Sequence, residues 1–424
     1  MRVLHVNNVD LYGRRFNGYD LIEELEPYGI ACSQAVLTKL GRNPRVLSLM
    51  PERADERLQG ALTRVEKRRS MNNLLYPWGR TLAATQQFQD ADVVHYHLIH
   101  NQMVSLLDLP WLFKLKPAVW TFHDPWPLTG HCIYPMDCTK WMEGCEGCPR
   151  LDTTFPMRED HADRMWRVKQ RVYRDSNVDI VVASQFMLDL ISQSPLTRHF
   201  DRTHLVPFGI RHEVYLDDDA RQDSRRRLGI PDDDFVVFFR STKSEFKGLS
   251  YIIEALAESK PARKTTLLTV DQKGLLRSLK PEYNIVEFGW VEDQSLYLQL
   301  YSACDVFLMP STAEAFGLMA LEAMAAGRPV VCFQGTSLPS ITHAPDCGIA
   351  VPRDDSLALR RALDHLAANP DEAKRRGKAG RHLAKTEYDH ARYLDSLARL
   401  YRQVSGRTTV NQLRQPHDER HRVT

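Results

Sequence analysis

Short apolar runs alternate along the chain with longer amphipathic stretches. A first series of such runs occupies residues 3–7, 33–37, 93–98, 118–122 and 179–183, and a second occupies residues 235–240, 265–270, 285–288, 305–309 and 329–333. Short apolar runs separated by helix-length segments are typical of buried strands in a parallel sheet that is covered by helices. Because the series ends and then begins again, the pattern predicts an α/β protein with two parallel-sheet domains.

The length of 424 residues fits two domains, each large enough to bury its own core. We place the first domain at residues 1–207, with a Cys-rich loop at 130–150, and the second at 208–386. A helix over residues 387–404 is predicted to pack back toward the first domain, and the polar residues 405–424 are predicted to form a disordered tail. Two open α/β domains in tandem usually bind a ligand between them, so functional residues are expected directly after strands.

The balance of charge excludes one broad class of function. The chain has 56 basic and 54 acidic side chains, which argues against a general nucleic-acid-binding protein. No apolar run reaches the roughly 20 residues needed to cross a bilayer, and the first residues lack the pattern of a signal peptide. These features predict a cytoplasmic protein, whose eight cysteines are expected to be thiols or metal ligands rather than disulfides.

The second series contains a carboxylate in an apolar helix. Residues 318–326 are apolar or methyl-sized except for Glu322, and Gly327 then provides the residue that ends a helix. A charge buried in such a helix needs a partner, which is either a neighbouring arginine or the hydroxyl groups of a ligand. Gly317, at the start of this helix, would let a sugar or phosphate approach the amide groups at the positive end of the helix dipole.

More charged residues occur in the loops of the second series. Glu314 precedes the apolar helix and is either a solvated loop residue or a second ligand-binding carboxylate. Arg240 and Lys247 follow the first strand of the series and lead through Gly248 into a helical run. Cations beside a helix N-terminus suit a diphosphate, although basic loop residues are more often only solvated.

Histidines occupy corresponding positions in the first series. His123 lies directly after the run 118–122, where it is expected either to contact a ligand or to serve as a packing residue. His95, His97 and His100 form a second group. Two of them fall on one face of a strand, so a metal site is an alternative to packing.

Four cysteines, Cys132, Cys138, Cys145 and Cys148, follow in a polar, Gly-rich loop. Only the last pair has the two-residue spacing of a zinc knuckle. Four thiolates within this span are able to form a tetrahedral structural zinc site that holds the loop, and the alternative is that they remain reduced thiols packed among aromatic residues. A catalytic metal is not expected here.

Together these motifs resemble the retaining nucleotide-sugar glycosyltransferases of GT-B fold, sequence family 4. The resemblance rests on Arg240 with Lys247-Gly248, on the Glu-x-Phe-Gly motif that begins at Glu314, and on Glu322. Supporting motifs occur in the family's order at residues 206–210, 289–291 and 301–307. The resemblance covers nearly the whole chain and implies two Rossmann-like domains facing across a cleft, with the nucleotide bound mainly by the second and the acceptor mainly by the first.

The resemblance also implies roles for individual residues. Arg240 and Lys247 are expected to bind the diphosphate, and Glu322 is expected to hold the ribose. Glu314 is expected to reach the donor sugar, and His123 is expected to face that sugar from the first domain. The remaining residues expected to contact the donor are Gly13, Trp290, Val291, Phe316, Gly317 and Leu318. Such enzymes are usually metal-independent, because the cations stabilise the leaving diphosphate and no cofactor or protein nucleophile is needed.

The sequence departs from the family pattern in two loops. Members commonly carry a pair of glycines after the first strand, whereas here Gly13 is followed by Arg14. Arg14 or the adjacent Arg15 is therefore a candidate contact for a donor phosphate or an anionic acceptor. The strand ending at Asp271 lacks the glycine often found there, so recognition of the base differs at this position.

The segment from His123 through Cys148 resembles a subgroup of these enzymes found in bacterial surface and exopolysaccharide assembly. The implied acceptor is a glycan or a polyprenyl-linked molecule. Residues 64–80 mix basic with apolar side chains, so this segment is either a surface that rests on the inner face of an anionic membrane or a solvated loop with a few packed residues.

The sequence therefore predicts a retaining glycosyltransferase of hexosyltransferase type that uses a nucleoside-diphosphate sugar in polysaccharide biosynthesis. Two alternatives remain at this point. A nucleotide-sugar epimerase of the same fold would keep the diphosphate contacts but need no acceptor. A non-catalytic scaffold of a glycan-assembly complex would have lost donor binding, which the altered loop at Gly13 and Arg14 favours.

Overall fold

The computed structural model describes residues 1–50, 52–215, 220–258, 260–261, 263–279 and 281–413. The chain divides into two compact units. The first contains residues 1–182, 188–206 and the chain from residue 394, and the second contains residues 183–187 and 207–393. Each unit is built on one parallel sheet, which confirms the predicted fold class of two parallel-sheet α/β domains.

The sheet of the first unit has seven strands, which are β1 Arg2–Val9, β2 Ala31–Thr38, β3 Val46–Ser48, β4 Val93–Tyr96, β5 Ala118–Thr121, β6 Asp179–Val182 and β7 Thr203–Leu205. The order is β3-β2-β1-β4-β5-β6-β7, and every neighbouring pair is parallel. The helices are α1 Leu21–Glu24, α2 Arg53–Arg68, α3 Trp78–Ala84, α4 Gln86–Asp90, α5 Leu109–Leu115, α6 Ala162–Arg174 and α7 Gln185–Gln193.

The sheet of the second unit has six strands, which are β8 Phe235–Ser241, β9 Thr265–Asp271, β10 Asn284–Glu287, β11 Val306–Met309, β12 Val330–Phe333 and β13 Gly348–Val351. Their order is β10-β9-β8-β11-β12-β13, again with parallel pairing throughout. The helices are α8 Arg221–Leu228, α9 Leu249–Ala257, α10 Gln294–Ala303, α11 Leu318–Ala325, α12 Leu338–Ile341, α13 Ser356–Ala368, α14 Pro370–Thr386 and α15 His390–Leu413, of which α15 belongs to the first unit from residue 394 onward. Short 3-10 helices join several of these elements, at Glu26–Tyr28, Leu106–Asp108, Trp126–Leu128, Lys140–Met142, His212–Val214, Glu245–Lys247 and Arg277–Leu279.

Each of the ten predicted apolar runs forms a strand. The pattern missed β3, β7 and β13, which are the short strands at sheet edges. An edge strand has one neighbour and needs less apolar sequence, and β7 accordingly contains no fully buried residue. The weak periodicity of these segments therefore reflects their position in the sheet.

Each sheet contains a point where the strand order reverses. In the first sheet this point lies between β1 and β4, and in the second it lies between β8 and β11. The loops that follow the two strands of such a pair lead to opposite faces of the sheet, which leaves a crevice at the carboxyl ends of the strands. The residues predicted to carry chemistry follow these strands or their neighbours.

The predicted apolar helix is confirmed as α11, and Glu322 within it is only 8% exposed. Gly327 ends the helix with a φ of 74°, in the left-handed region that favours glycine. The core of this unit is formed in part by Phe235, Val237 and Phe239 of β8, with the buried side chains of α9 packed against them.

The helix α15 extends beyond the end predicted for it at residue 404. Residues 405–413 continue the helix, so the prediction of a disordered tail from residue 405 was wrong for them, and residues 414–424 lie outside the described residues. Tyr401 and Arg407 bind side chains of the first sheet, because Tyr401 Oη lies 2.7 Å from His95 Nδ1 and Arg407 Nη1 donates to Asp179 Oδ1 at 2.9 Å. These tertiary contacts hold polar residues in a helix that composition alone did not indicate.

The segment 64–80 does not present its aromatic residues on the surface. Tyr76 and Trp78 are 2% and 3% exposed, and Trp78 Nε1 donates to Gln59 Oε1 at 2.6 Å. The buried carboxylate of Glu66 accepts hydrogen bonds from three successive backbone amides, beginning with that of Asn73. These aromatic residues are therefore packed in the protein, and contact of the segment with a membrane stays a prediction. Within the described part of the chain, no helix combines the length and hydropathy needed to span a bilayer.

Asp179 connects the helix α15 to the first sheet. Its side chain is 5% exposed and accepts hydrogen bonds from Arg202 Nε at 3.0 Å, from His204 Nε2 at 2.8 Å and from Arg407. Burial alone would raise the pKa of this carboxyl, but the hydrogen bond from His204 and the charges of Arg202 and Arg407 hold its pKa below the ordinary value of 3.8.

We expect Asp179→Asn to lower the free energy of unfolding by about 1–3 kcal/mol at pH 7, because three donors lose their charged acceptor. Since the folded pKa lies below the unfolded one, the stabilisation by the carboxylate is complete above pH 3.8 and is lost as the pH falls through the folded pKa. Denaturant unfolding at pH 7 and at pH 3 measures both effects. Asp201→Asn, at a side chain that is 86% exposed, is the matched control. A variant as stable as wild type at pH 7 would contradict the stabilising role of the Asp179 carboxylate.

Candidate functional site

The loops after β8 and β11 lie against each other at the reversal point of the second sheet. Thr312 N donates to Phe246 O at 3.1 Å, which joins the two loops directly. Gly248 has a φ of 70°, and a Cβ atom on it would lie 2.0 Å from the carbonyl oxygen of Pro310. Only glycine allows this approach, so Gly248 is required for the two loops to meet.

Lys247 and Glu314 form an ion pair in these loops. Lys247 Nζ lies 2.7 Å from Glu314 Oε2, and the two side chains are 28% and 15% exposed. Lys247 is followed by Gly248 and then by the first residue of α9. Glu314 lies in the loop that leads to α11. The structure thus brings together two residues that the sequence placed 67 positions apart.

Arg240 is paired with a second carboxylate. Its Nε atom donates to Asp271 Oδ2 at 2.7 Å across the neighbouring ends of β8 and β9. Asp271 has a φ of 89°, a left-handed conformation that glycine adopts at no steric cost. The missing glycine noted in the sequence is therefore replaced by an aspartate that keeps the glycine-like backbone and adds a negative charge beside Arg240.

Trp290 and Val291 lie in the loop after β10. The amide of Asp271 donates to the carbonyl oxygen of Gly289 at 3.0 Å, which places this loop beside the end of β9. The side chain of Trp290 is 65% exposed. An exposed tryptophan next to a charged strand end offers an aromatic face for a planar ligand group.

The buried carboxylate of Glu322 meets a hydroxyl group. Tyr301 Oη donates to Glu322 Oε2 at 2.6 Å. Burial and the nearby carboxylate raise the pKa of Tyr301, so the phenol stays protonated and remains a donor. Tyr301 belongs to α10, which the sequence identified only as part of a supporting motif.

The loop between Glu314 and α11 is fixed through its carbonyl groups. Ser337 N donates to Glu314 O at 3.1 Å, Ser184 Oγ to Ala315 O at 2.6 Å, and Ser337 Oγ to Phe316 O at 2.9 Å. Three successive carbonyl oxygens are therefore held by two serines.

The start of α11 is tightly packed. Gly317 has a φ of 101°, and a Cβ atom on it would lie 2.5 Å from Leu338 Cδ2. The helix begins at the next residue, Leu318. The backbone of Phe316, Gly317 and Leu318, which was predicted to face the donor, is accordingly held in one conformation.

In the first unit, the loop after β1 is organised around Asn17. Its Nδ2 atom donates to the carbonyl oxygens of Val9, Asp10 and Tyr12 at 3.1, 2.7 and 2.9 Å. Gly13 lies in this loop with a φ of 70°. The loop therefore keeps a rigid shape without the second glycine of the family pattern.

Arg14 stands where that second glycine was expected. Its Nε atom donates to Asp20 Oδ1 at 2.5 Å, and its guanidinium lies 5.1 Å from the centre of the Tyr19 ring. Arg14 is thus engaged by an acidic and an aromatic side chain of its own loop, and its proposed contact with phosphate or acceptor stays a prediction.

His123 lies just beyond the carboxyl end of β5. Its Nε2 atom is 3.1 Å from His97 Nδ1, and its ring lies 5.3 Å from that of Phe16. Burial lowers the pKa of His123 to about 4, so the ring is neutral at physiological pH. Asp124 beside it pairs with His100, with 3.2 Å between Oδ2 and Nε2.

The histidines of β1 and β4 form a group that the sequence identified only in part. His5, His95 and His97 are all buried, and one ring nitrogen of each lies within 4.8 Å of those of the other two. His100, which the sequence grouped with His95 and His97, instead stacks on Trp126 at 4.6 Å between ring centres. His5 was missed because it lies far away in the sequence.

The four cysteines are free thiols in the structure. Among the described residues, the only group of three or more potential metal ligands within 4.8 Å of one another is that of the histidines, so no three of the sulfur atoms of Cys132, Cys138, Cys145 and Cys148 lie that close together. Burial raises the pKa of Cys132 to about 11 and that of Cys145 to about 12. The structural zinc site stays a prediction.

A buried lysine holds the start of the Cys-rich segment. Lys169 Nζ donates to the carbonyl oxygens of Trp126 and Thr129 at 2.5 and 2.8 Å and lies 3.4 Å from the centre of a Trp126 ring. Backbone contacts add to this, because Gly130 N lies 3.2 Å from Cys145 Sγ. The loop is therefore fixed by an ammonium group from α6, an interaction that the sequence analysis did not identify.

The chain resembles known proteins in sequence and in structure. Residues 220–383 match the sequence profile of the family described as glycosyl transferases group 1. An O-antigen chain mannosyltransferase C from Escherichia coli is 28% identical over 239 residues, which are 53% of this chain and 61% of the relative. The chain thus spans about three fifths of the length of this curated relative.

Two solved structures share the fold over nearly the whole chain. The sucrose-phosphate synthase of Thermosynechococcus elongatus has a TM-score of 0.68 and 18% identity, with coverage of 96% of this chain and 100% of the other. Anabaena HepE, crystallised with UDP and glucose, has a TM-score of 0.62 and 15% identity, with coverage of 95% and 100%. Both solved structures share with this chain the fold of two Rossmann-like parallel-sheet domains, and the match to the group 1 glycosyltransferases covers residues 220–383.

Proposed function

We propose that this protein is a retaining glycosyltransferase of hexosyltransferase type, which moves a sugar from a nucleoside-diphosphate donor to a glycan or polyprenyl-linked acceptor in polysaccharide biosynthesis. The observation that carries the proposal is the Lys247–Glu314 pair at the reversal point of the second sheet. This is the place where open α/β sheets bind ligands. The lysine also lies next to a helix N-terminus, where phosphate oxygens are stabilised.

In the proposed donor complex, Arg240 and Lys247 contact the diphosphate. Negative charge develops on the diphosphate as its bond to the anomeric carbon breaks, and cations that are already in place stabilise this charge without reorganisation. Glu314 holds the ammonium of Lys247 before the donor binds, and its carboxylate is a hydrogen-bond acceptor for hydroxyl groups of the sugar. In this scheme the protein supplies no nucleophile and no metal ion.

Glu322 is the proposed anchor for the ribose. A carboxylate has two oxygens, so it can accept the hydrogen bond of Tyr301 and those of ribose hydroxyls together. His123 on the first unit is assigned a contact with the transferred sugar, and Trp290 is assigned a contact with the nucleotide.

The relatives support the choice of substrate class. The E. coli relative is by name a mannosyltransferase of O-antigen chains, and HepE was crystallised with UDP and glucose. These names, together with the charged pairs described above, support a surface glycan as acceptor and a nucleoside diphosphate sugar as donor. The direct experiment measures thermal stabilisation of the full chain by a panel of nucleotides, and then transfer from the stabilising donor with and without a glycan or polyprenyl-linked acceptor. Conversion of the donor without acceptor would indicate an epimerase, and no stabilisation by any nucleotide would indicate a scaffold.

We expect Lys247→Ala and Glu314→Gln each to lower kcat at least about tenfold while the melting temperature changes little, because each removes a charge next to the reacting bond. Steady-state transfer assays with circular dichroism of the same samples measure both quantities. Lys264→Ala and Glu258→Gln are matched controls, since both side chains are exposed and Lys264 immediately precedes β9, at the opposite edge of the sheet. Transfer at the wild-type rate by either site variant would contradict the assignment.

We expect Glu322→Gln to weaken the binding of the nucleoside diphosphate about tenfold, because a neutral amide is a poorer acceptor for the ribose hydroxyls and also for Tyr301. Isothermal titration calorimetry of the wild type and the variant with the preferred nucleotide measures the change. The exposed Glu258→Gln variant is again the control. Equal affinities for the nucleotide would exclude Glu322 as its anchor.

Asp271→Asn tests the unusual pairing of Arg240. We expect it to tighten binding of the nucleoside diphosphate about threefold or more at low salt, because the carboxylate both occupies Arg240 and repels the phosphates. Asparagine also tolerates the left-handed conformation, so the backbone is retained. Calorimetry on wild type, Asp271→Asn, Arg240→Ala and the double variant separates the release of Arg240 from the loss of repulsion between Asp271 and the phosphates. An unchanged affinity in the single Asp271 variant would contradict the competition.

A further inference from the structure

Three imidazole rings of the first unit form a continuous hydrogen-bonded chain. His5 Nδ1 lies 3.0 Å from His97 Nε2, and His97 Nδ1 lies 3.1 Å from His123 Nε2. His5 is on β1, and His97 follows β4, the strand that pairs with β1 where the strand order reverses. The chain therefore runs from the interior of the sheet to the residue at its carboxyl edge.

Burial keeps these rings neutral. It lowers the pKa of His5 to about 3 and that of His97 well below its ordinary value. A neutral imidazole carries one proton, so one nitrogen donates and the other accepts. Each hydrogen bond between two rings needs one donor and one acceptor. The position of the proton on the ring at one end therefore determines the tautomer of all three rings.

The environment of His5 determines which ring nitrogens donate in these hydrogen bonds. Its Nε2 atom is buried and has no hydrogen-bond partner among the described residues. If the proton of His5 were on Nε2, a buried N–H group would lack an acceptor, whereas a proton on Nδ1 is donated to His97. His97 then donates from Nδ1 to His123 Nε2. His123 is left with its own proton on Nδ1.

The surroundings keep the rings in place. A Cβ atom on Gly18 would lie 2.4 Å from the ring of His5, so the backbone of the loop after β1 covers that ring directly. His95 is not a member of the chain, because its two nitrogens lie 2.7 Å from Thr121 Oγ1 and 2.7 Å from Tyr401 Oη. Its ring instead packs 4.2 Å from that of His97. The three hydrogen-bonded rings are thus enclosed by a glycine, a fourth imidazole and the helix α15.

We propose that His97, oriented by His5, is a positioning residue that fixes His123 as the Nδ1-protonated tautomer, so that His123 offers an N–H donor to an oxygen of the transferred sugar. The assignment of the tautomer follows from the hydrogen-bond chain alone, and the contact with the sugar rests on the proposed function. A hydrogen-bond donor is the form that oxygen atoms of a sugar or a leaving phosphate can use, and a neutral ring leaves the charge of the diphosphate to Arg240 and Lys247.

A metal ion is the competing explanation for clustered histidines. Two imidazole nitrogens bound to one tetrahedral zinc lie about 3.3 Å apart and point at the ion. His5 Nδ1 and His97 Nε2 are closer, at 3.0 Å, and both nitrogens of His95 already have hydroxyl partners. The geometry therefore favours direct hydrogen bonds between the rings.

Nitrogen NMR of the full chain labelled with ¹⁵N-histidine tests the tautomer without any substrate. We expect His123 to show a protonated Nδ1 and a bare Nε2, with signals assigned by single substitutions. In His97→Phe we expect this pattern to be replaced by a mixture of tautomers. A protonated Nε2 on His123 in the wild type, or an unchanged spectrum in the variant, would overturn the proposal. So would one equivalent of tightly bound zinc found by elemental analysis of protein exposed to zinc, together with metal-shifted signals of His5 and His97.

The rate of sugar transfer tests whether the tautomer of His123 matters for the reaction. We expect His97→Phe to lower kcat about tenfold or more while KM for the donor stays within about threefold, because the sugar contact matters most as the bond breaks. His97→Asn retains an amide donor next to His123 Nε2 and should recover most of this loss. A purely structural role would not distinguish the two variants in kcat at equal melting temperature. His382→Phe, at an exposed histidine of α14, is the control substitution.

The two measurements separate failure of this inference from failure of the proposed function. If the wild type transfers no sugar, the proposed function is wrong, and the NMR spectra still test the hydrogen-bond chain. If the wild type transfers sugar but His97→Phe and His97→Asn are equally active or equally impaired, the function stands and the positioning role of His97 is rejected.

Discussion

Charged groups that leave water must find a partner, and this constraint shapes every part of the protein that we relate to function. Glu322 meets the hydroxyl of Tyr301, and Lys169 meets two carbonyl oxygens and a tryptophan ring. Asp179 collects three donors. The histidines of the first sheet carry no charge, because burial keeps the rings neutral, and they form hydrogen bonds with one another.

The same constraint explains why Lys247 and Arg240 of the second unit are each paired with a carboxylate. Lys247 and Arg240 stand at strand ends, where helix dipoles and partial burial favour anions, and carboxylates fill that role. A diphosphate brings more negative charge than one carboxylate, so it is able to compete for these cations. Asp271 makes this competition specific to the present chain, since a glycine at that position would leave Arg240 without this partner.

Both sheets place their candidate residues at the reversal of strand order. In a parallel sheet all carboxyl ends lie at one edge, and only at the reversal do the following loops separate. The loops of β8 and β11 supply Lys247 and Glu314, and the β1–β4 pair supplies His5 and His97. Glycines such as Gly248 keep the site compact, because a side chain there would collide with the opposite loop. Topology thus determines where the site lies, and close backbone contact determines its geometry.

Apolar periodicity and helix signals are local properties of the chain, so they are enough to predict the two parallel sheets, the buried helix around Glu322 and the cationic loop at Lys247. Three of the four edge strands, β3, β7 and β13, were missed, as was the end of α15, which depends on tertiary partners such as Asp179. Which side chains meet depends on the folded structure. The pairing of Lys247 with Glu314, of Arg240 with Asp271 and of His5 with His97 joins residues that are distant in the chain, and the packing of the sheets sets these distances.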